Sequence, residues 1–143
     1  MWGCLAVAGL AVMVWLLMWW LDPSLRRRRE FQAELATREP LPDAEMVTRY
    51  FADDVGTAEV SAEVRRVFAR HMEYPAEKLL PDDDLLFFWA ELDMAEFVEE
   101  LQSGYGISIS PLESELTPCT IRAVSALVAS KTRRTTLLAS EAE

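Results

Sequence analysis

The pattern of apolar and polar positions divides the chain sharply at Leu21. Trp2 to Leu21 is an unbroken run of twenty residues without a charged or strongly polar side chain. At about 1.5 Å of rise per residue, a helix of that length reaches roughly 30 Å, the thickness of a bilayer's hydrocarbon core. No Lys or Arg precedes the run and it ends in bulky Met18-Trp19-Trp20-Leu21, which argues against a cleaved signal peptide. Cys4 stands before nearly all of the apolar core, which argues against a lipoprotein signal. Trp2, Trp15, Trp19 and Trp20 lie mostly near the ends, where membrane-interface tryptophans gather. The pattern predicts one transmembrane helix over residues 1–21.

Beyond it the apolar residues recur at helical spacing. Residues 22–42 form a charged linker, predicted to be helical over Ser24 to Thr37 and broken by Pro40 and Pro42. With Asp43 as N-cap, Met46, Val47, Tyr50 and Phe51 predict an additional amphipathic helix over 43–56, punctuated by Gly56 and Thr57. Both a packed helix and a spacer fit that segment. Val60, Val64, Val67, Phe68 and Met72 then share one face, with Ser61 as a cap and Glu63, Arg65, Arg66 and Arg70 off the face. His71 falls at the stripe's edge, a boundary position with no nucleophile near it in sequence.

Pro75 and Pro81 bracket a loop that runs through Asp82-Asp83-Asp84 into Leu85-Leu86-Phe87-Phe88-Trp89. That apolar stretch fits either a plug for the open end of a helix bundle or an exposed docking patch with Trp89 outermost. From Glu91 to Tyr105, Leu92, Ala95, Val98, Leu101 and Tyr105 make an apolar face widened by Met94 and Phe97. Asp93, Glu96, Glu99 and Glu100 make the opposite one, and Gly104 and Gly106 end the helix. A short turn around Leu112 to Leu116 leads to a last helix from Thr117-Pro118 with Ile121, Val124, Leu127 and Val128 inward. The tail, 131–143, is polar and predicted to be flexible. The predicted fold class is all-α, a single N-terminal transmembrane helix plus a small four-helix bundle over 60–130.

The order of pieces in the bundle resembles the acyl and peptidyl carrier proteins. Glu96-Phe97-Val98-Glu99-Glu100-Leu101 followed by Tyr105-Gly106-Ile107-Ser108-Ile109 is similar to the carrier pattern of an acidic helix running into an aromatic-Gly-Ile-x-Ile turn. Val64 to Leu79 resembles the first carrier helix and the start of its loop, and Pro81-Asp82-Asp83-Asp84-Leu85 the loop's middle. The likeness spans Ser61 to Ala129. It implies a phosphopantetheine serine in an Asp-Ser-Leu motif at the start of the acidic helix, but the matching positions are Ala90-Glu91-Leu92. Glu91 has no hydroxyl, and from Ala62 through Gln102 there is neither serine nor threonine. No cofactor is therefore expected. The resemblance further implies that the acidic helix docks basic patches on partners.

Charge narrows the partners. The chain's formal net charge is −10, and Val60 to Ala129 holds thirteen acidic against five basic residues. Such a field favours encounter with a basic protein and repels nucleic acid. Arg26, Arg27, Arg28 and Arg29 directly follow the apolar run, so the positive-inside rule predicts a single-pass protein of the cell membrane with its C-terminal domain cytoplasmic. Trp2, Trp19, Trp20 and those arginines are the expected membrane-interface residues. Cys4 and Cys119 would lie in different regions and not pair, and with the lone His71 no metal site is indicated.

The carboxylates lack an accompanying nucleophile, metal-ligand spacing or phosphate loop, so no enzyme and no small-molecule substrate is expected. The leading function is a membrane-anchored interaction module in which Trp89, Glu91, Asp93, Glu96, Glu99 and Glu100 dock a basic partner. A solvated helix face accounts for the same charges. The alternatives are a structural subunit of a membrane complex, packed through Gly3, Ala6 and Gly9, and a working carrier serving a membrane enzyme.

Overall fold

A computed structural model describes residues 12, 13, 15, 22–86 and 94–141, and every regular element among them is helical. The chain forms two compact units, Met1–Thr37 and Arg38–Glu143. In the first, α1 (Pro23–Thr37) opens on a proline, whose missing N–H costs nothing in a first turn. Arg26 Nε lies 3.4 Å from Glu30 Oε1 one turn on, and the Thr37 hydroxyl donates to the Glu34 carbonyl. Val12, Met13 and Trp15 are helical and exposed. The rest of the apolar run, Trp2, Trp19 and Trp20 included, lies outside the described residues.

The second unit is built from α2 (Asp43–Tyr50), α3 (Val55–Met72), a 3-10 turn (Ala76–Lys78), α4 (Met94–Tyr105), α5 (Pro111–Leu116) and α6 (Ile121–Glu141). Helix α3 is central, packing mainly on α6 and also on α4, α2 and the 3-10 turn. Val64, Phe68, Leu79, Leu85, Leu101, Ile121 and Val128 have essentially no solvent exposure. Each such side chain contributes about 1.5–3 kcal/mol of apolar burial. The Phe68 and Phe97 rings meet at 4.7 Å with their planes tilted by 51°.

Helix α3 starts five residues before Val60. Asp54 caps it, accepting the Thr57 N–H at 3.1 Å and the Thr57 hydroxyl at 2.6 Å. Gly56 and Thr57 thus lie in its first turn rather than closing the preceding helix. Helix α2 packs on the bundle. Leu41, Met46 and Phe51 form a small core of their own, with Val47, Tyr50, Ala58 and Leu80 against it. Its N-cap is Pro42, and the Asp43 carboxylate pairs instead with the buried Arg65 and the exposed Arg66.

Arg65 departs most from the sequence-based expectation. Placed off the apolar face by its charge, it is fully buried in the fold. Its Nε donates to the Leu79 carbonyl at 2.9 Å, and its Nη1 to the Leu41 carbonyl at 2.9 Å and Asp43 Oδ1 at 3.1 Å. Residues 38–42 lie along the loop after α3, where the Leu41 N–H donates to the Glu77 carbonyl at 2.7 Å. Arg38 holds the same loop by a paired contact with Asp83, at 2.7 and 3.1 Å, and by the Lys78 carbonyl at 2.9 Å. Arg122 of α6 grips it from the other side. It pairs with Asp82, donates to the Tyr50 carbonyl at 2.9 Å and stands 5.0 Å over the Phe51 ring. Three arginines, Arg38 from the segment before α2, Arg65 from α3 and Arg122 from α6, therefore fix one loop.

A capping box opens α5, with the Ser110 hydroxyl accepting the Glu113 N–H while Glu113 accepts the Ser110 N–H. Helix α6 begins only at Ile121, where Thr120 Oγ1 accepts the Ala123 N–H. It continues through Glu141, past the expected boundary at Lys131, because nothing after Pro118 is a glycine or proline.

The expected architecture of a transmembrane helix joined to a bundle is corrected in one respect. The described residues are all-helical, but no helix among them is long and apolar enough to cross a membrane. The two longest, α3 and α6, carry three and four basic residues, respectively, and each such charge is costly in hydrocarbon.

Candidate functional site

Helix α4 divides along its length into two faces. Phe97 and Leu101 are 2% and 1% exposed in the core, while Ala95, Glu96 and Glu99 face solvent. This is the amphipathic split expected for a helix lying on a bundle. Of the six predicted docking residues, the structure places Glu96, Glu99 and Glu100 on this helix. Trp89, Glu91 and Asp93 lie outside the described residues, as do Phe87 and Phe88. Leu85 is core and its N–H donates to the Cys119 carbonyl at 2.9 Å, whereas Leu86 is exposed.

Glu100 has a task within the fold. Its Oε2 is 2.8 Å from His71 Nε2 and its Oε1 accepts from the Arg70 guanidinium. The His71 ring stands edge-on to Phe97, at 5.6 Å and 77°. From Arg70 the charges continue through Glu63 and Arg66 to Asp43 and Arg65. This chain of pairs ties α2, α3 and α4 together, so Glu100 is part of the scaffold and Glu96 and Glu99 are the exposed carboxylates. The lone histidine, read from sequence as a boundary residue, is mostly covered, with 14% of its side chain exposed.

Beside Glu99 runs a shallow groove. Ala95, Val98 and Gln102 of α4 line one side, and Ile109, Pro111 and Ser114 the other. Gln102 Oε1 accepts the Ile109 N–H at 2.8 Å, and the Ile107 N–H donates to the Gln102 carbonyl at 3.2 Å. These bonds fold the post-helix segment back after Gly106, whose φ of 61° suits glycine. Val98 and Ile109 also border an apolar pocket beneath, with Phe97, Leu101, Val124 and Leu127. Its volume of about 20 Å³ holds roughly one water.

Across the groove's α5 side, Lys131 Nζ contacts both Glu113 oxygens, at 2.6 and 2.8 Å. That ammonium, with the two Ser110 donors, draws the Glu113 carboxyl down to about 2. Burial and the neighbouring Asp84 push the Cys119 thiol up to about 12, which leaves it an inert core group. Among the described residues no cluster of His, Cys, Asp and Glu could hold a metal ion.

Sequence reasoning passed over two features. The first is Arg65, whose partners are carbonyls far off in the chain. The second is the charge of α6: between Glu115 and Glu141 there is no carboxylate, against Arg122, Lys131, Arg133 and Arg134. Arg122 and Lys131 serve Asp82 and Glu113, while Arg133 and Arg134 are exposed, followed by Leu137 and Leu138 at 65% and 62% exposure. The break in charge was legible in a strongly acidic chain. Comparison of the chain with protein-family models, curated proteins and solved structures gave no match.

Proposed function

We propose that this protein is a non-catalytic interaction module, similar in its helix order to the carrier proteins and working without phosphopantetheine. It presents the solvent face of α4 to a basic protein surface. One observation carries the reading: Glu96 and Glu99 face solvent from a helix whose other side, Phe97 and Leu101, is fixed in the core. A docking face needs a fixed arrangement of charges, and here the buried side of α4 fixes the backbone that carries them, leaving only the ordering of the side chains themselves to be offset on binding. The absence of any serine or threonine between Ala62 and Gln102 supports the further point that no prosthetic group is attached at the start of this helix, where a carrier protein holds its serine.

The test is affinity capture by the full-length protein, by Glu96→Lys/Glu99→Lys and by a control, Asp53→Lys/Glu59→Lys, which reverses two exposed carboxylates elsewhere. A partner retained by the wild type and the control but lost from the α4 variant is the expected result, with helicity unchanged in all three. Equal capture by all three overturns the reading. A mass increase after incubation with a phosphopantetheinyl transferase and coenzyme A would overturn the part about the prosthetic group.

A further inference from the structure

We propose that the groove between α4 and α5 receives the C-terminal end of α6 from a second copy of this chain. The inference rests on the α4 face being a docking surface and names its occupant. The groove offers an apolar floor, Val98, Ile109 and Pro111, beside the carboxylate of Glu99. The end of α6 offers the complement: Arg134, Leu137 and Leu138 are three and four residues apart, so they share one helix face, and all are exposed. Two leucines on the floor with a guanidinium at the rim match shape to apolarity and charge to charge.

The helix does not reach the groove of its own chain. Lys131 is held on Glu113, and Leu137 lies six residues further on, about 9 Å along the axis. Its exposure confirms that its own chain leaves it uncovered. Yet Glu113 adjoins Ser114 of the groove, so groove and protruding helix belong to the same end of the unit. Two copies related by a two-fold axis at that end would each lay a helix end across the other's groove. Such an exchange is self-complementary and closes at the dimer. It is also selective within an acidic chain, because residues 116–140 hold no carboxylate and four basic side chains, and α6 meets its first carboxylate only at its last residue, Glu141.

The experiment mixes light and isotopically heavy full-length chains, both with Leu138 replaced by photoreactive benzoylphenylalanine, and identifies cross-linked peptides by mass. The expected product joins a heavy Leu138 peptide to a light peptide from Ala95 to Ser114, and the reverse. Glu99→Lys and Arg134→Glu should each reduce its yield about tenfold, and the combined charge swap should recover most of it. Cross-links confined to one isotope, absent, or directed elsewhere overturn the proposal, as does failure of the swap to recover the yield. A foreign partner captured through Glu96 and Glu99 by a chain that gives no mixed cross-link would sink this inference and leave the docking reading standing. Equal capture by all the capture variants would sink the docking reading itself.

Discussion

Arg65 Nε donates to the carbonyl of Leu79 at 2.9 Å from a side chain with no solvent exposure. A guanidinium taken wholly out of water is tolerable only where acceptors surround it. Here they are the Leu79 and Leu41 carbonyls and the Asp43 carboxylate, supplied by two segments that flank α3 in the chain; they engage Nε and Nη1, while the buried Nη2 has no hydrogen-bond partner among the described residues.

Arg65→Met keeps the length of the side chain but strands two buried carbonyls and the Asp43 contact. We expect a loss of about 3–5 kcal/mol in urea-induced unfolding. Arg65→Lys, with one donor group in place of a fork, should lose a similar amount. An unchanged midpoint for either variant would show that the strap of residues 38–42 is not fastened through this side chain.

These contacts also mark where sequence reading stops. The stripe of Val60, Val64, Val67, Phe68 and Met72 identified α3 because apolar periodicity is local. The charge of Arg65 suggested solvent, because its partners lie 14 and 24 residues away. Gly56 suggested a helix end, and only the Asp54 cap, itself a short-range signal, shows why a helix runs through it. Glu96, Glu99 and Glu100 were legible as one acidic face. Which of them stays exposed depends on Arg70 and His71 coming from another helix, a tertiary fact that no spacing within α4 contains.

Acid should loosen the fold in a definite window. Glu113, Asp82 and Asp54 all have carboxyls held below their ordinary values, by Lys131 and Ser110, by Arg122, and by Thr57 respectively. A depressed folded-state value contributes stability that is present above the unfolded value and lost as pH falls through the folded one. For Glu113 that window runs from 4.5 down to about 2. Thermal midpoints should therefore drop as pH is lowered through this range. Glu113→Gln should flatten part of the drop, and a slope identical to the wild type's would refute the assignment.

Cys119 should be nearly unreactive in the native state. It is 5% exposed, and burial together with Asp84 raises its thiol to about 12, so little thiolate forms at neutral pH. In a Cys4→Ser background, Ellman's reagent should modify Cys119 at least ~100-fold more slowly than a free thiol, and at an ordinary rate once urea has unfolded the chain. Rapid labelling without denaturant would mean that the contact between Leu85 and the Cys119 carbonyl opens readily.

Two glycines at the end of α4 should respond to alanine in opposite directions. An added Cβ meets nothing within 4 Å at either Gly104 or Gly106, so packing is silent and the backbone decides. Gly104 lies within the helix, where alanine restricts the unfolded chain and suits the folded one. Gly104→Ala should stabilise by about 0.5–1 kcal/mol. Gly106 sits at a φ of +61°, where a Cβ crowds the backbone, and Gly106→Ala should cost about 1–2 kcal/mol. Thermal unfolding of the two variants beside the wild type gives both signs in one experiment. If Gly106→Ala were neutral, the left-handed turn that sends Ile107 and Ile109 back along α4 would not be a requirement of the fold, and the groove beside Glu99 would lose its fixed far wall.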